Sequence, residues 1–253
     1  MISDEHSPVW TEEIMIHSYE VDFKHQASLE AICRLFLEAA WNHAEQLGVG
    51  FYHLSAQQRF WVLSRLAIQI DTYPRWGDRV TLTTWPRGAA SIFAMRDFEL
   101  KAANGTRLLG GASAWLVLSA KNKRPQRVDA ITGSICGLPG KMALGTNPEK
   151  LPALEGGSLQ TTMTANYSFI DVNGHVNSAS YVGWLLDAYS IEFHRFHSPR
   201  HLQINYLSET LAGELISVFT VETKPGNFSH SIKKSNGQEV CRACISWEAA
   251  TAA

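Results

Sequence analysis

Two stretches of the chain repeat apolar residues at helical spacing. In 28–47 they are Ile32, Leu35, Phe36, Ala39 and Ala40, and in 177–196 they are Tyr181, Trp184, Leu185 and Ala188. Recurrence three and four residues apart places each set on one helical face. Elsewhere the pattern alternates. Ala67-Ile68-Gln69-Ile70-Asp71 leads through Pro74 to Gly77-Asp78 and an alternating run over 79–85, and His201-Leu202-Gln203-Ile204-Asn205 leads to Gly213-Glu214 and a run over 215–221 in the same way. Asn104-Gly105 is followed by Trp115, and Asn236-Gly237 at the same separation by Trp247. Asn-Gly between alternating segments predicts a hairpin with a type I′ turn.

The chain is therefore an internal repeat, each half reading as a strand, a long helix and then about four or five antiparallel strands. The apolar stripe of a lone helix beside a meander is buried if the sheet curls around it. The expected fold class is α+β, two tandem units, each a curled antiparallel sheet wrapped around a long helix. The units are expected over 14–119 and 161–248, with the Gly-, Pro-, Lys- and Asn-rich segment 120–160 as a linker.

Composition narrows the function. A chain of 253 residues with 45% apolar and 18% charged residues is not disordered. Lys and Arg number 22 against 24 Asp and Glu, so the net charge of −2 argues against nucleic acid as a partner. The stretch 156–170, free of charged residues, is polar and shorter than the roughly 18 apolar residues of a membrane span. The N-terminal residues, with Asp4 and Glu5, carry no leader signature, and the cytoplasm is the expected compartment. Cys33, Cys136, Cys241 and Cys244 are too few and scattered for a disulfide framework. Cys241 and Cys244 lie three apart on an alternating strand and read as packing, like Trp184 and Trp247. His194, His197 and His201, with Arg195 and Arg200, read as a mildly basic surface rather than a metal site. Nucleotide-binding glycine motifs and the Gly-x-Ser-x-Gly elbow are absent from the sequence. No cofactor and no metal are expected.

Chemistry concentrates in Asp171-Val172-Asn173-Gly174-His175-Val176-Asn177, just before the second helix. Asp171, Asn173 and His175 alternate and project to one side of an extended backbone. Gly174 allows a bend, and Asn177 or Ser178 is a candidate N-cap. The corresponding entry of the first half, Val21-Asp22-Phe23-Lys24-His25-Gln26-Ala27-Ser28, lacks the Asp-x-Asn-x-His spacing, so the spacing is not a requirement of the fold.

Asp-x-Asn-Gly-His-Val-Asn-x-x-x-Tyr after a strand resembles the signature of the fatty acyl-acyl carrier protein (acyl-ACP) thioesterases of plants and bacteria. The resemblance extends to Trp115-Leu116-Val117-Leu118-Ser119 with the basic 121–127 behind it, and to Asn205-Tyr206-Leu207-Ser208-Glu209-Thr210. It implies a double hotdog fold, with the first unit noncatalytic and the active loop in the second. It also implies Asp171, Asn173, His175 and Glu209 as the catalytic set, with Gly174, Val176 and Thr210 in contact with substrate. Plant members carry a cysteine after the glutamate where this chain has Thr210, so attack by water is favoured over a covalent route. In that expectation backbone N–H groups at Gly174, His175 or Val176 hold the thioester oxygen, Asp171 and Glu209 hold or activate water, and Asn173 and His175 orient them. The implied activity is release of fatty acid from acyl carrier protein. The alternatives are an acyl-coenzyme A thioesterase or a noncatalytic acyl-binding relative. The carrier is acidic, so Lys121, Lys123, Arg124 and Arg127 are its expected landing site, with Arg195 and Arg200 second. A homodimer stays open.

Overall fold

The computed structural model describes residues 7–249 except 134 and 136, so Cys136, Asp4 and Glu5 lie outside the described residues. The described chain divides into two compact units, one of 7–28 and Arg34–Pro148, the other of Leu29–Cys33 and 149–249.

The first unit runs β1 (Trp10–Met15), the part of α1 (Leu29–Gln46) from Arg34 onward, α2 (Phe51–Ala56), β2 (Arg59–Ile70), β3 (Arg79–Ala90), β4 (Phe93–Ala102), β5 (Arg107–Ser119) and a single turn, α3 (Asp129–Thr132). Its strands pair antiparallel in the order β1-β3-β4-β5-β2. Ile32, Phe36, Ala39 and Ala40 of α1 are buried, and Phe36 stacks on Phe98 of β4 with ring centroids 4.5 Å apart. That approach requires a gap in the sheet. A Cβ on Gly111 of β5 would lie 2.4 Å from a Phe36 ring carbon, which is why glycine interrupts a strand that otherwise disfavours it.

The second unit repeats the plan with β6 (Ser158–Thr164), α4 (Ser178–Leu186), α5 (Ile191–Phe196), β7 (His197–Tyr206), β8 (Leu215–Lys224), β9 (Asn227–Lys234) and β10 (Glu239–Ala249). Its strands follow the matching order β6-β8-β9-β10-β7, again antiparallel. This is the tandem α+β arrangement expected from the repeat. One element differs. The single helix expected over 177–196 is broken, because the Ser190 hydroxyl accepts the Phe193 N–H at 3.1 Å and starts α5 afresh. Tyr189, in the break, bonds His230 Nε2 at 3.0 Å and packs on Phe193, Phe228 and Trp247.

The turn type also differs. Gly105 and Gly237 have φ of +85° and +84°, whereas Asn104 and Asn236 do not enter the positive region. Each loop closes with a glycine N–H to the residue three before it (Gly105 to Ala102, 2.8 Å; Gly237 to Lys234, 2.9 Å). These are three-residue hairpins, a type I turn followed by one left-handed glycine, rather than type I′ turns. The asparagine side chains accept the N–H two residues on, from Thr106 and from Gln238, a bond that Asn-Gly serves in either geometry.

The 120–160 segment is fastened at both ends. Within the first unit Trp85 Nε1 donates to the Lys141 carbonyl at 2.8 Å and the Ala143 N–H to Asp97 at 2.7 Å. Within the second, the Leu151 N–H donates to Asn205 Oδ1 at 2.7 Å and Arg242 to the Leu151 carbonyl at 3.0 Å. Strand β6 begins inside the expected linker, at Ser158.

Each unit buries a histidine. His43 receives Arg96 at Nδ1 (2.9 Å) and faces the Ser7 carbonyl at Nε2 (3.1 Å). A guanidinium only donates and a carbonyl only accepts, so His43 is neutral with its proton on Nε2. Burial, reinforced by Arg96, pushes it down to about 4. His230 sits between Tyr189 and Thr220 and burial pushes it down to about 4 as well. Both stay neutral in the folded protein while the unfolded chain takes up protons below its ordinary value. Their stabilising contribution is therefore complete above about pH 6.5 and is lost as pH falls toward 4. Urea unfolding at pH 7 and pH 5 should differ by about 2 kcal/mol per histidine, and His43→Gln should flatten that dependence; a pH-independent midpoint would refute it.

Candidate active site

The loops entering α1 and α4 are built alike. Asp22 Oδ1 accepts the Lys24 and Gln26 N–H groups at 2.8 and 3.1 Å. Asp171 Oδ1 accepts those of Asn173 and His175 at 2.8 and 3.3 Å. The backbone closes identically, Asp22 N–H to the Gln26 carbonyl and Asp171 N–H to the His175 carbonyl, each at 2.8 Å. A second loop, before β3 or β8, is sewn to the first: Ala27 N–H donates to the Pro74 carbonyl at 2.8 Å, and Val176 N–H to the Thr210 carbonyl at 2.9 Å. Asp78 Oδ2 and Glu214 Oε2 hold that second loop by accepting the Arg75 and Leu211 N–H groups at 2.8 and 2.7 Å.

The match assigns partners residue by residue. Asp171 corresponds to Asp22, Asn173 to Lys24, Gly174 to His25, His175 to Gln26 and Glu209 to Tyr73. The aspartate and its bonds are therefore common to both units, and loop folding accounts for its Oδ1. The side chains that differ are those of Asn173, Gly174, His175 and Glu209. Gly174 has φ of +77°, and His25 adopts the same region at +59°.

The second unit's substitutions create a polar pair. His175 Nε2 lies 3.1 Å from Glu209 Oε2, with the two side chains 29% and 48% exposed, so water reaches both. Asn173 is exposed, and its side-chain amide makes no hydrogen bond among the described residues. The Asn177 side chain caps α4 by accepting the Ala179 N–H at 2.8 Å.

The backbone N–H groups that the sequence suggested as oxyanion donors are engaged within the loops. The Gly174 N–H is spent on the Asp171 carbonyl (3.0 Å), that of His175 on Asp171 Oδ1 (3.3 Å) and that of Val176 on the Thr210 carbonyl. A folded loop needs its own N–H groups satisfied. Ser178, at the first turn of α4, keeps an N–H without a recorded partner among the described residues, at the positive end of the helix. Thr210 is fully buried. Its Oγ1 has no hydrogen bond of good geometry, and the Tyr181 hydroxyl is its polar neighbour. Burial pushes that phenol up.

Several of the remaining candidates make contacts within the fold. His194 Nε2 bonds the Leu186 carbonyl at 2.9 Å and His197 Nδ1 the Phe193 carbonyl at 3.0 Å. Arg195 pairs with Glu192 at 3.1 Å and Arg200 with Glu248. Cys241 is buried while Cys244 is partly exposed, the two-sided placement an alternating strand gives. Trp184 and Trp247 are buried. Among the basic residues after β5, Arg127 pairs with Asp129 at 2.6 Å and Lys123 lies over the Phe60 ring at 4.9 Å. Lys121 and Arg124 are exposed and form no ion pair among the described residues. Sequence reading placed Glu214 only in a turn; its pairing with Gly77-Asp78 in the repeat was the signal for its holding role.

Comparison with known proteins matches both parts of the chain to one family. Residues 7–132 match the family model of the acyl-ACP thioesterase N-terminal domain, and 155–249 that of the C-terminal domain. The chain is 26% identical over 245 residues to oleoyl-acyl carrier protein thioesterase 2, chloroplastic, of Arabidopsis thaliana, covering 90% of this chain and 67% of that protein. It is 25% identical over 249 residues to the acyl-[acyl-carrier-protein] hydrolase FATB3, chloroplastic, of Cuphea viscosissima, covering 92% of this chain and 60% of that protein. The crystal structure of an acyl-ACP thioesterase from Bacteroides thetaiotaomicron superposes with a TM-score of 0.83 at 26% identity, over 96% of this chain and 99% of that one. The 12:0-ACP thioesterase from Umbellularia californica shares the fold, with a TM-score of 0.83 at 23% identity over 96% of this chain and 94% of that one.

Equivalence of the two loops is measurable. Asp22→Ala and Asp171→Ala each remove a side chain that satisfies two backbone N–H groups, and each should cost about 1 kcal/mol in urea unfolding. Losses differing by more than about 1 kcal/mol would show that the loops are not built alike.

Proposed function

Since the chain belongs to the acyl-ACP thioesterase family, a family of thioester hydrolases with a tandem hotdog fold, we propose that it releases fatty acid from acyl carrier protein by water attack at the His175–Glu209 pair. The observation that carries this reading is the 3.1 Å contact between a solvent-reached imidazole and carboxylate, at positions where the other unit has Gln26 and Tyr73. Glu209 takes a proton from water, and the hydroxide forms a bond to the thioester carbon. His175 donates from Nε2 and fixes the carboxylate's orientation. Oxygen charge developing on the carbonyl falls to donors not spent on the loop, the Asn173 amide and the Ser178 N–H. Collapse of the tetrahedral adduct breaks the carbon–sulfur bond, and the sulfur leaves as a thiolate whose conjugate acid, near 8.5 like a cysteine thiol, needs little help. Asp171 uses Oδ1 to hold the loop, which leaves Oδ2 to hold the water. Gly174 supplies the bend, and Val176 with Thr210 supplies the backbone stitch that brings the pair together.

In this reading the unit over 14–119 is noncatalytic and that over 161–248 carries the chemistry. The cytoplasm is the compartment proposed, and the cysteines support it: they are few and scattered, and Cys241 and Cys244 form no disulfide among the described residues. For the acidic carrier the exposed Lys121 and Arg124 are the first docking groups, with Lys123 and Arg127 beside them and Arg195 and Arg200 second.

Glu209→Gln keeps the shape and removes the basic oxygen, so it should lower kcat on the order of 10²-fold or more. Thr210→Ala, which deletes a buried hydroxyl, should leave kcat within about threefold, since a group without access to the substrate is not a nucleophile. A trapped acyl-Thr210 enzyme, or Thr210→Ala worse than Glu209→Gln, would overturn the water mechanism.

Docking is tested by charge reversal. Lys121→Glu with Arg124→Glu should raise KM for acyl carrier protein substrates about tenfold at low salt, and far less for the same acyl chain on coenzyme A. Equal effects on both substrates would reject this surface, and faster thiol release from the coenzyme A ester would reassign the substrate.

A further inference from the structure

The loop that presents Glu209 is held by a side chain the first unit lacks. Both units use a carboxylate to hold this loop, Asp78 on the Arg75 N–H and Glu214 on the Leu211 N–H. In the second unit Lys234 Nζ also bonds that carboxylate, at 2.7 Å to Oε2 and 2.9 Å to Oε1. Lys234 is 11% exposed and Glu214 32%, so the pair is shielded in a way surface ion pairs are not. Strand register places Lys234 opposite Ile216 in β9–β8, and Ala102 opposite Val80 at the same place in β4–β3. Asp78 has no cation in ion-pair range among the described residues. A carboxylate alone thus suffices to fold the loop. The lysine is an addition confined to the unit that carries the His175–Glu209 pair.

Its position explains what it adds. Leu211 forms the backbone bridge to His175, and Thr210 the bond to Val176. Glu209 is the next residue back. Glu214, pinned by Lys234, holds the Leu211 N–H and so limits how far the segment carrying Glu209 can move from His175.

We propose that Glu214 and Lys234 are positioning residues for catalysis, an ion-pair clamp that keeps Glu209 within hydrogen-bond reach of His175. The proposal rests on the reading of that pair as the reacting groups. Burial alone would raise the Glu214 carboxyl, but the Lys234 ammonium and the Leu211 N–H outweigh it and hold the carboxyl below its usual range. The clamp therefore stays charged, and stays closed, until pH falls below that lowered value. Without Lys234 the carboxyl rises and opening begins at higher pH.

Lys234→Met and Lys234→Arg in the full chain test it, with acyl thioester hydrolysis, the pH profile of kcat and hydrogen exchange at the Leu211 amide. Lys234→Met should lower kcat about tenfold with KM within twofold, less than the roughly 10²-fold that a 1 Å misplacement can cost. It should also move the acid limb of kcat to higher pH and speed Leu211 exchange at least about tenfold. Lys234→Arg keeps the charge and should recover most of the rate. Unchanged kcat, acid limb and exchange in Lys234→Met would overturn the clamp, as would an arginine variant as impaired as the methionine one at equal thermal stability. Should Glu209→Gln turn over normally, the reading of the site fails, and Leu211 exchange still reports whether the clamp exists.

Discussion

His175 and Glu209 sit on loops far apart in the sequence, and one backbone bond decides whether they meet. The Val176 N–H to Thr210 carbonyl bond, with the His175–Leu211 bridge beside it, sews the helix-entry loop to the loop before β8. The rest of the site follows from satisfying the donors those loops bring with them. Asp171 takes two N–H groups, Glu214 takes that of Leu211, and Asn177 turns the chain into α4. Little freedom is left for His175 and Glu209 except to face each other. A site held by satisfied backbone groups is preorganised before substrate arrives, which is the condition for electrostatic catalysis.

The same accounting separates the groups that hold the loops from those that stay open to solvent. A group engaged in holding the loop is unavailable for chemistry unless it has a second atom to offer. The N–H groups of Gly174, His175 and Val176 are engaged, and Thr210 is enclosed. Asn173, His175 and Glu209 remain in reach of solvent. Away from the site, each unit holds a buried histidine in a satisfied polar network. Thr84 accepts Arg96 beside His43, and the corresponding Thr220 bonds His230 directly. Leaving such groups unpaired would cost several kcal/mol at the order of magnitude of a lost buried hydrogen bond.

The order of elements, the repeat and the family were legible in the sequence because they rest on periodicity and on one dense motif. Finer points were not. Asn104-Gly105 and Asn236-Gly237 mark a hairpin, but whether the asparagine joins the glycine in the left-handed region depends on strand register, which two residues do not encode. The break before Ser190 was hidden because apolar spacing continues through it; Ser190 as a cap and Tyr189 as an aromatic anchor override the period. The kinship of Asp22 with Asp171 was masked by Lys24, His25 and Gln26, although each aspartate stands six residues before its helix-capping position, Ser28 and Asn177. Reading the motif as a block of functional residues missed that its first member also builds the loop.

One residue shows how closely the two loops share a backbone. His25 holds a left-handed backbone at φ +59° where its counterpart is Gly174 at +77°. A side chain there costs about 1 kcal/mol relative to glycine, and a loop free to relax would shed that strain. It has not relaxed, since Asp22 and the bond to Pro74 keep the backbone shape. The two loops thus share main-chain geometry while their side chains differ, and the first unit keeps the shape of the second unit's loop with Lys24, His25 and Gln26 in place of Asn173, Gly174 and His175. In this pair of loops, likeness is carried by backbone dihedrals and hydrogen bonds more than by residue identities.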